Sequence, residues 1–380
     1  MNVEKEIAGF VLPFTVGVLL TACIGLSFYH NHALITFIAL ITISITICLL
    51  NFSISVNERS ICADPRILWG IIVVAACSCG VLSGATGLSL IDMPESGIET
   101  AAINFSNNLK GAIDNIPFHS EHTGALVKAL LTGEKSSLSD DIKEAFRDSG
   151  ASHILALSGL HLGIIYMIVS KVLGIFGNGT HAKRFRSALI ILFCGFYTMA
   201  TGAGASILRA FIFITLGELA QMTGRHRSLI QILFASLLIQ LIISPLSIRT
   251  IGFQLSYAAM AGIAFIFPWL KGFWPDERES EASTYGGRLI SRSMRWIWNS
   301  AVLSISCQIT TGPLAYIYFG TVPLNFIMTN LIALPLTGIL IPIALLTICL
   351  SSLGWCPEWI IQGTDYLATI MMWSLQVIAG

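Results

Sequence analysis

Apolar stretches of about 20 residues, each closed by a short polar break, recur from one end of the chain to the other. They fall near 7–28, 33–52, 67–88, 152–176, 187–204, 205–223, 228–245, 250–270, 297–319, 322–351 and 355–379. An apolar helix of roughly 20 residues matches the hydrocarbon thickness of a bilayer. The pattern therefore predicts an all-α, polytopic transmembrane helix bundle of about eleven spans. Pro335 and Pro342 interrupt 322–351, which reads as a kinked or re-entrant piece. The first stretch ends in Leu20-Thr21-Ala22-Cys23, which resembles a lipoprotein cleavage box. Glu4 and Glu6 flank Lys5, so the positive start of a signal peptide is missing and the stretch is kept as a helix.

Residues 89–151 break the rhythm and divide the chain into N-terminal helices (1–88), this segment, and a second helical part (152–380). Ile98, Ala101, Ala102, Phe105 and Leu109 recur at helical spacing with Asn and Lys opposite, which predicts an amphipathic helix lying on the membrane surface. A second helical pattern, ALVKALLTGEK, follows Pro117. A third opens at Ser139, a cap residue, with Asp140 and Asp141 in its first turn. About sixty residues of short helices are too few for a separate enzyme domain.

One apolar stretch carries polar groups inside it. Residues 153–161 read HILALSGLH, with Ser158, Gly159 and His161 within a run apolar enough to cross a bilayer. Ser and His in hydrocarbon cost free energy unless they face a partner, water or a cavity, so a broken or functional helix is expected here.

Composition agrees with a membrane protein: 380 residues, 54% hydrophobic and 11% charged, against about 25% charged in soluble domains. Mean hydropathy is +0.78. Net charge is zero, so any site for a polyanion is local. The nine cysteines mostly lie in apolar stretches and include no CxxC, which indicates neither a disulfide framework nor a zinc ribbon. Basic residues orient the bundle. Loops 53–66, 177–186, 224–227 and 271–296 hold Arg59, Arg66, Lys183, Arg184, Arg186, Arg225, Arg227, Lys271, Arg278, Arg288, Arg292 and Arg295. The positive-inside rule makes these loops and the N-terminus cytoplasmic and places 89–151 outside.

The stretch from Ala125 to Val169 resembles the signature of the ComEC-type competence family, channels of the bacterial inner membrane. Its G-x-x-H-x-x-A-x-S-G-x-H pattern is matched at Gly150, His153, Ala156, Ser158, Gly159 and His161. GASILRA, carrying Arg209, is similar to the family's arginine-bearing helix start, and Gly252-Phe253-Gln254-Leu255-Ser256 to its GFQLS helix. Pro313, Phe319, Gly320, Asn330 and Pro335 match its late segment. The resemblance covers roughly 120–350. It implies uptake of single-stranded DNA in natural transformation, with the lipid bilayer, a DNA receptor and a cytoplasmic motor of the competence machinery as partners. Self-association is left open, and no cofactor is implied. Many relatives carry an OB-fold where this chain has 89–120, and a metallo-β-lactamase-like nuclease domain after the last helices. No H-x-H-x-D-H cluster occurs in these residues (His30-Asn31-His32 has only the first spacing), so strand degradation is not expected of them.

On this reading Ser158, Gly159, His161, Arg209, Gln254, Ser256, Asn330 and Pro335 line a substrate path, helped by Gln308 and Asn325. No catalytic residue and no metal are assigned. Each residue also has a plainer reading. Ser158 and His161, at i and i+3, could be a nucleophile and base, a structural hydrogen-bond pair or a pore-facing site. Arg209 lies inside an apolar helix and must reach the outer interface, an acid such as Glu218, or a wet cavity where its fork could hold phosphate. Phe193, Phe196, Tyr197 and Tyr257 could stack on bases or be bundle core. His119 and His122 could meet a metal with Glu121 or sit in a solvated loop. The alternatives to a DNA channel are a transporter of another solute and an intramembrane serine hydrolase.

Overall fold

The fold is taken from a computed structural model, which describes residues 3–24, 72–81, 83, 97–155, 158–176, 179–224, 228–273, 285–320 and 325–380. The expected span 33–52, the loop 53–66, the tip His30–His32, Ala156, Arg225 and Arg227 lie outside the described residues. The chain forms two compact units, residues 1–94 with 226–257, and residues 95–225 with 258–380. These units divide the chain differently from its order in sequence. Among the described residues every regular element is helical.

The first unit contains α1 (Val3–Ile24), α2 (Ile72–Val81) and α10 (Leu229–Ile243). Phe14, Val18, Ala76, Leu241, Ile248 and Phe253 form its core. Two glycines set the approach of α1 and α2: a Cβ on Gly17 would collide with the carbonyl of Cys77, and one on Gly80 with that of Phe14. Close backbone contact through small residues is how helices associate where lipid removes the hydrophobic drive.

The second unit begins with α3 (Gly97–Asp114), α4 (Glu121–Thr132), α5 (Asp140–Asp148) and α6 (Ser152–Leu155). It continues through α7 (Gly159–Leu173), α8 (Thr180–Ala200) and α9 (Ala205–Met222). A long helix, α11 (Ile251–Lys271), passes into it from the first unit, and α12 (Tyr285–Phe319), α13 (Phe326–Ser352) and α14 (Glu358–Ala379) complete it. By length and apolarity α9, α11 and α13 can each cross a bilayer, and α1, α2, α7 and α10 contain shorter apolar helices. The protein is an all-α polytopic membrane protein.

Two local features follow from proline chemistry. Pro268 cannot donate to the carbonyl four residues back, and the turn ahead of it, Gly262–Ile266, widens to π geometry. At that turn a Cβ on Gly262 would collide with the carbonyl of Ser306 on α12. In α13, Pro335 and Pro342 do not break the helix. Of the kinked and re-entrant alternatives, the re-entrant one is not seen: Phe326–Ser352 is one helix of 27 residues, about 40 Å long. Proline is tolerated in a spanning helix where neighbouring groups take up the freed carbonyls.

Residues 97–151 pack closely on the rest of the second unit. Leu126, Leu130, Leu131, Phe146 and Ile154 share one core with Leu340 and Ile341 of α13 and Met371 and Leu375 of α14. Helix α3 packs along α8, with Phe105 edge-on to Phe196 at 5.0 Å. The helical spacing is legible in the sequence, and the apolar face of α3 meets protein at α8.

Candidate functional site

The break in the HILALSGLH stretch falls at Ser158, between α6 and α7. Ser158 is extended (φ −124°, ψ 171°) and caps α7, its Oγ accepting from Leu160 N at 3.3 Å. His161 Nδ1 accepts the Ser158 backbone N–H at 3.2 Å and lies 3.2 Å from Ser158 Oγ. This is a capping box in which histidine replaces the usual Glu or Gln. Because Nδ1 receives a backbone N–H, the ring proton sits on Nε2. His161 is 1% exposed, and its Nε2 has no partner among the described residues. No carboxylate orients the imidazole among the described residues. The pair holds a helix end, which is the structural reading of the motif.

Gly159 allows this end to seat on α9. A Cβ at Gly159 would lie 3.2 Å from Cβ of Ala210, so the start of α7 packs on α9 at the residue after Arg209. Arg209 is 3% exposed. Glu218, also buried, accepts from Tyr166 Oη at 2.8 Å and Ser187 Oγ at 2.5 Å. It lies nine residues beyond Arg209 on α9, which is about 13 Å along the axis and half a turn around it. A direct Arg209–Glu218 pair is therefore not made. The acid instead joins α7, α8 and α9.

Asn330 and Pro335 come together elsewhere in the same unit. With Trp296, Ser300, Leu303 and Leu334 they line a cavity of about 270 Å³ between α12 and α13. Asn330 Nδ2 donates to Ser304 Oγ at 3.2 Å, and Asn330 Oδ1 is buried without a partner among the described residues. Asn325 Nδ2 donates to the carbonyl of Ile378 at 3.0 Å. Gln254 and Ser256 belong to the first unit, where Gln254 Nε2 donates to the Ile248 carbonyl at 2.9 Å.

The aromatic candidates divide. Tyr197 is buried and donates to the Leu131 carbonyl at 2.7 Å. Tyr257 packs on Phe253 and donates to Gln240 Oε1 at 3.2 Å. Both are core residues, whereas Phe193 and Phe196 are exposed. His119 does not form a metal site with His122 and Glu121. Its backbone N and ring Nδ1 approach Asp365 Oδ2 at 2.9 and 3.1 Å. No cluster able to hold a metal is found among the described residues. Sequence reasoning missed Asp365 and the ion pair at 2.6 Å between buried Lys128 and exposed Asp114. A charge inside an otherwise apolar helix was the available signal for both Lys128 and Asp365.

Residues 130–380 match the Competence protein family, and the chain belongs to it. Among curated proteins it is 34% identical over 141 residues to ComE operon protein 3 of Bacillus subtilis, covering 35% of this chain and 17% of that protein. It is 25% identical over 262 residues to the uncharacterized protein YcaI of Escherichia coli, covering 66% and 33%. It is 25% identical over 228 residues to Competence protein ComA of Neisseria gonorrhoeae, covering 58% and 30%. The matched region is a third or less of each relative's own length. No solved structure matches the chain.

Proposed function

We infer that this chain is the membrane-embedded part of a bacterial inner-membrane channel that admits single-stranded DNA during natural transformation. The observation that carries this is the family match over 130–380, which includes the broken helix at Ser158 and the buried Arg209 of α9. The name Competence protein ComA, carried by a relative, supports it. A polyanion cannot cross hydrocarbon, so about eleven helices would have to enclose a wet path. Polar groups that face a cavity, as Asn330 and Ser300 do between α12 and α13, would keep such a path solvated. The N-terminus is cytoplasmic in this reading, because Lys183 and Arg184 open α8 and Arg292 and Arg295 lie near the start of α12. The chain is non-catalytic in this reading, because the Ser158–His161 pair has the geometry of a helix cap.

The test is a deletion strain supplied with labelled duplex DNA. Entry of label into the cytoplasm should be lost and then restored by the wild-type chain, while DNA binding at the surface persists. Normal entry in the deletion strain, with altered uptake of another solute, would favour a transporter of that solute.

A further inference from the structure

Helix α13 serves as a ruler for the second unit. At one end Thr329 Oγ1 donates to the carbonyl of Ser149 at 2.6 Å. Toward the other, Thr347 meets Thr364 at 3.0 Å, and the next residue, Asp365, holds His119. Thr329 and Thr347 are eighteen residues apart, about 27 Å along a helix, close to the roughly 30 Å of a bilayer's hydrocarbon core. His119 and Ser149 therefore lie near opposite ends of a helix long enough to span. The hairpin of α3 and α4 makes this journey: Leu131 lies beside Tyr197 near the end of α8, and the turn at 115–120 reaches the start of α14.

A helix at that depth cannot leave polar side chains in lipid. Two charges of α3 have partners: Lys110 Nζ lies 2.8 Å from Glu134, just past α4, and Asp114 lies 2.6 Å from Lys128 of α4. One exposed face of α3 and the turn after it is an uncharged polar stripe, Thr100, Asn104, Asn107, Asn108, Gly111 and Asn115, with exposed Ile103 and Asp114 along its edge. The spacing i, i+4, i+7, i+8, i+11, i+15 keeps it on one face, over about 22 Å. A Cβ at Gly111 would meet nothing within 4 Å.

We propose that α3 and α4 form a re-entrant hairpin whose amide stripe lines a water-filled path for an extended single-stranded nucleic acid. The strand as occupant rests on the proposed function; the wet lining does not. Neutral amides would hydrate and briefly contact a polyanion without trapping it as a row of cations would. The stripe lies ahead of residue 130, outside the family match.

Single cysteines at Asn104, Asn107, Gly111 and Asn115, in a chain cleared of native cysteines, would be exposed to a small charged thiosulfonate outside spheroplasts. Buried Ala102 and Ile113 serve as controls. All four stripe positions should react, with rates within about tenfold of one another, and both controls should stay silent. Silence at Gly111 and Asn115 alongside reaction at Asn104 would overturn the wet lining. A variant that does not reach the membrane is replaced by Asn108→Cys on the same stripe. Adding an oligothymidylate should slow Asn107 and Gly111 at least threefold. Unchanged rates at wet positions would overturn the strand as occupant and leave the lining standing.

Discussion

Among single residues, Arg209 and Glu218 show how burial decides a role. Both are nearly inaccessible, and both sit on α9. Glu218 is held by two hydroxyls from two other helices. Glu218→Ala removes the acceptor of the buried Ser187 hydroxyl, which costs about 1–3 kcal/mol. Abundance in the membrane should drop, as measured by quantitative immunoblot. Arg209, the residue before Ala210 where the start of α7 packs on α9, carries the fork suited to phosphate. If it contacts the strand, DNA entry should fall in the order wild type, Arg209→Lys, Arg209→Ala, with abundance unchanged. At about 13 Å apart the two sites should not couple, so stability losses in the double variant should add within about 0.5 kcal/mol. A double variant more abundant than Glu218→Ala alone would restore the ion pair that the helix geometry denies. The sequence had flagged both residues, because a charge in an apolar run is conspicuous. It could not say which hydroxyls meet the acid, since Tyr166 and Ser187 come from helices whose mutual rotation spacing leaves undefined.

Element by element, helix existence was legible, and relations between helices were less so. The break at Ser158 was visible because Ser, Gly and His interrupt an apolar run, and the structure places a helix cap there. In α13 two prolines that would stop a soluble helix leave 27 residues continuous. Amphipathicity in α3 was read correctly as a helix, but periodicity cannot distinguish an apolar face against lipid from one against α8. Glycine contacts likewise emerge only in three dimensions. Gly80 lets α2 approach the Phe14 carbonyl of α1 so closely that Gly80→Ala must push the backbones apart. Since the colliding atom is backbone, no rotamer change relieves it. The substitution should cost about 1–3 kcal/mol, as overpacking does, and lower the thermal unfolding midpoint in detergent. Gly111→Ala, which meets open space on a helix, should leave stability the same or slightly higher. Equal losses at the two sites would mean that α1 and α2 are not packed through Gly80.

At the scale of the whole molecule, the second unit has two distinguishable ends. Along α13, contacts run from Asn330 beside Ser304 to Pro335 in the cavity that Trp296 also lines, so α13 descends toward the basic start of α12. The turn between α13 and α14 therefore lies at that basic end. Trp355 and Trp359 stand exposed there, 70% and 72%, as aromatic side chains do at a membrane interface. His119 reaches the same turn, its Nε2 3.9 Å from Glu358. The loop after α4, with Ser137 exposed, belongs to the other end, near Ser149 and Tyr197. These relations separate the two ends of the unit without counting spans, and the positive-inside rule predicts that the basic end is cytoplasmic. A bulky polyethylene-glycol maleimide, too large for any path through the bundle, should label Ser137→Cys in intact spheroplasts. It should label Lys183→Cys, Arg292→Cys and Glu358→Cys only after the membrane is opened. Labelling of Glu358→Cys together with Ser137→Cys from outside would place both ends of the hairpin on one face. That would overturn the re-entrant hairpin and its depth scale together, while leaving the family assignment untouched.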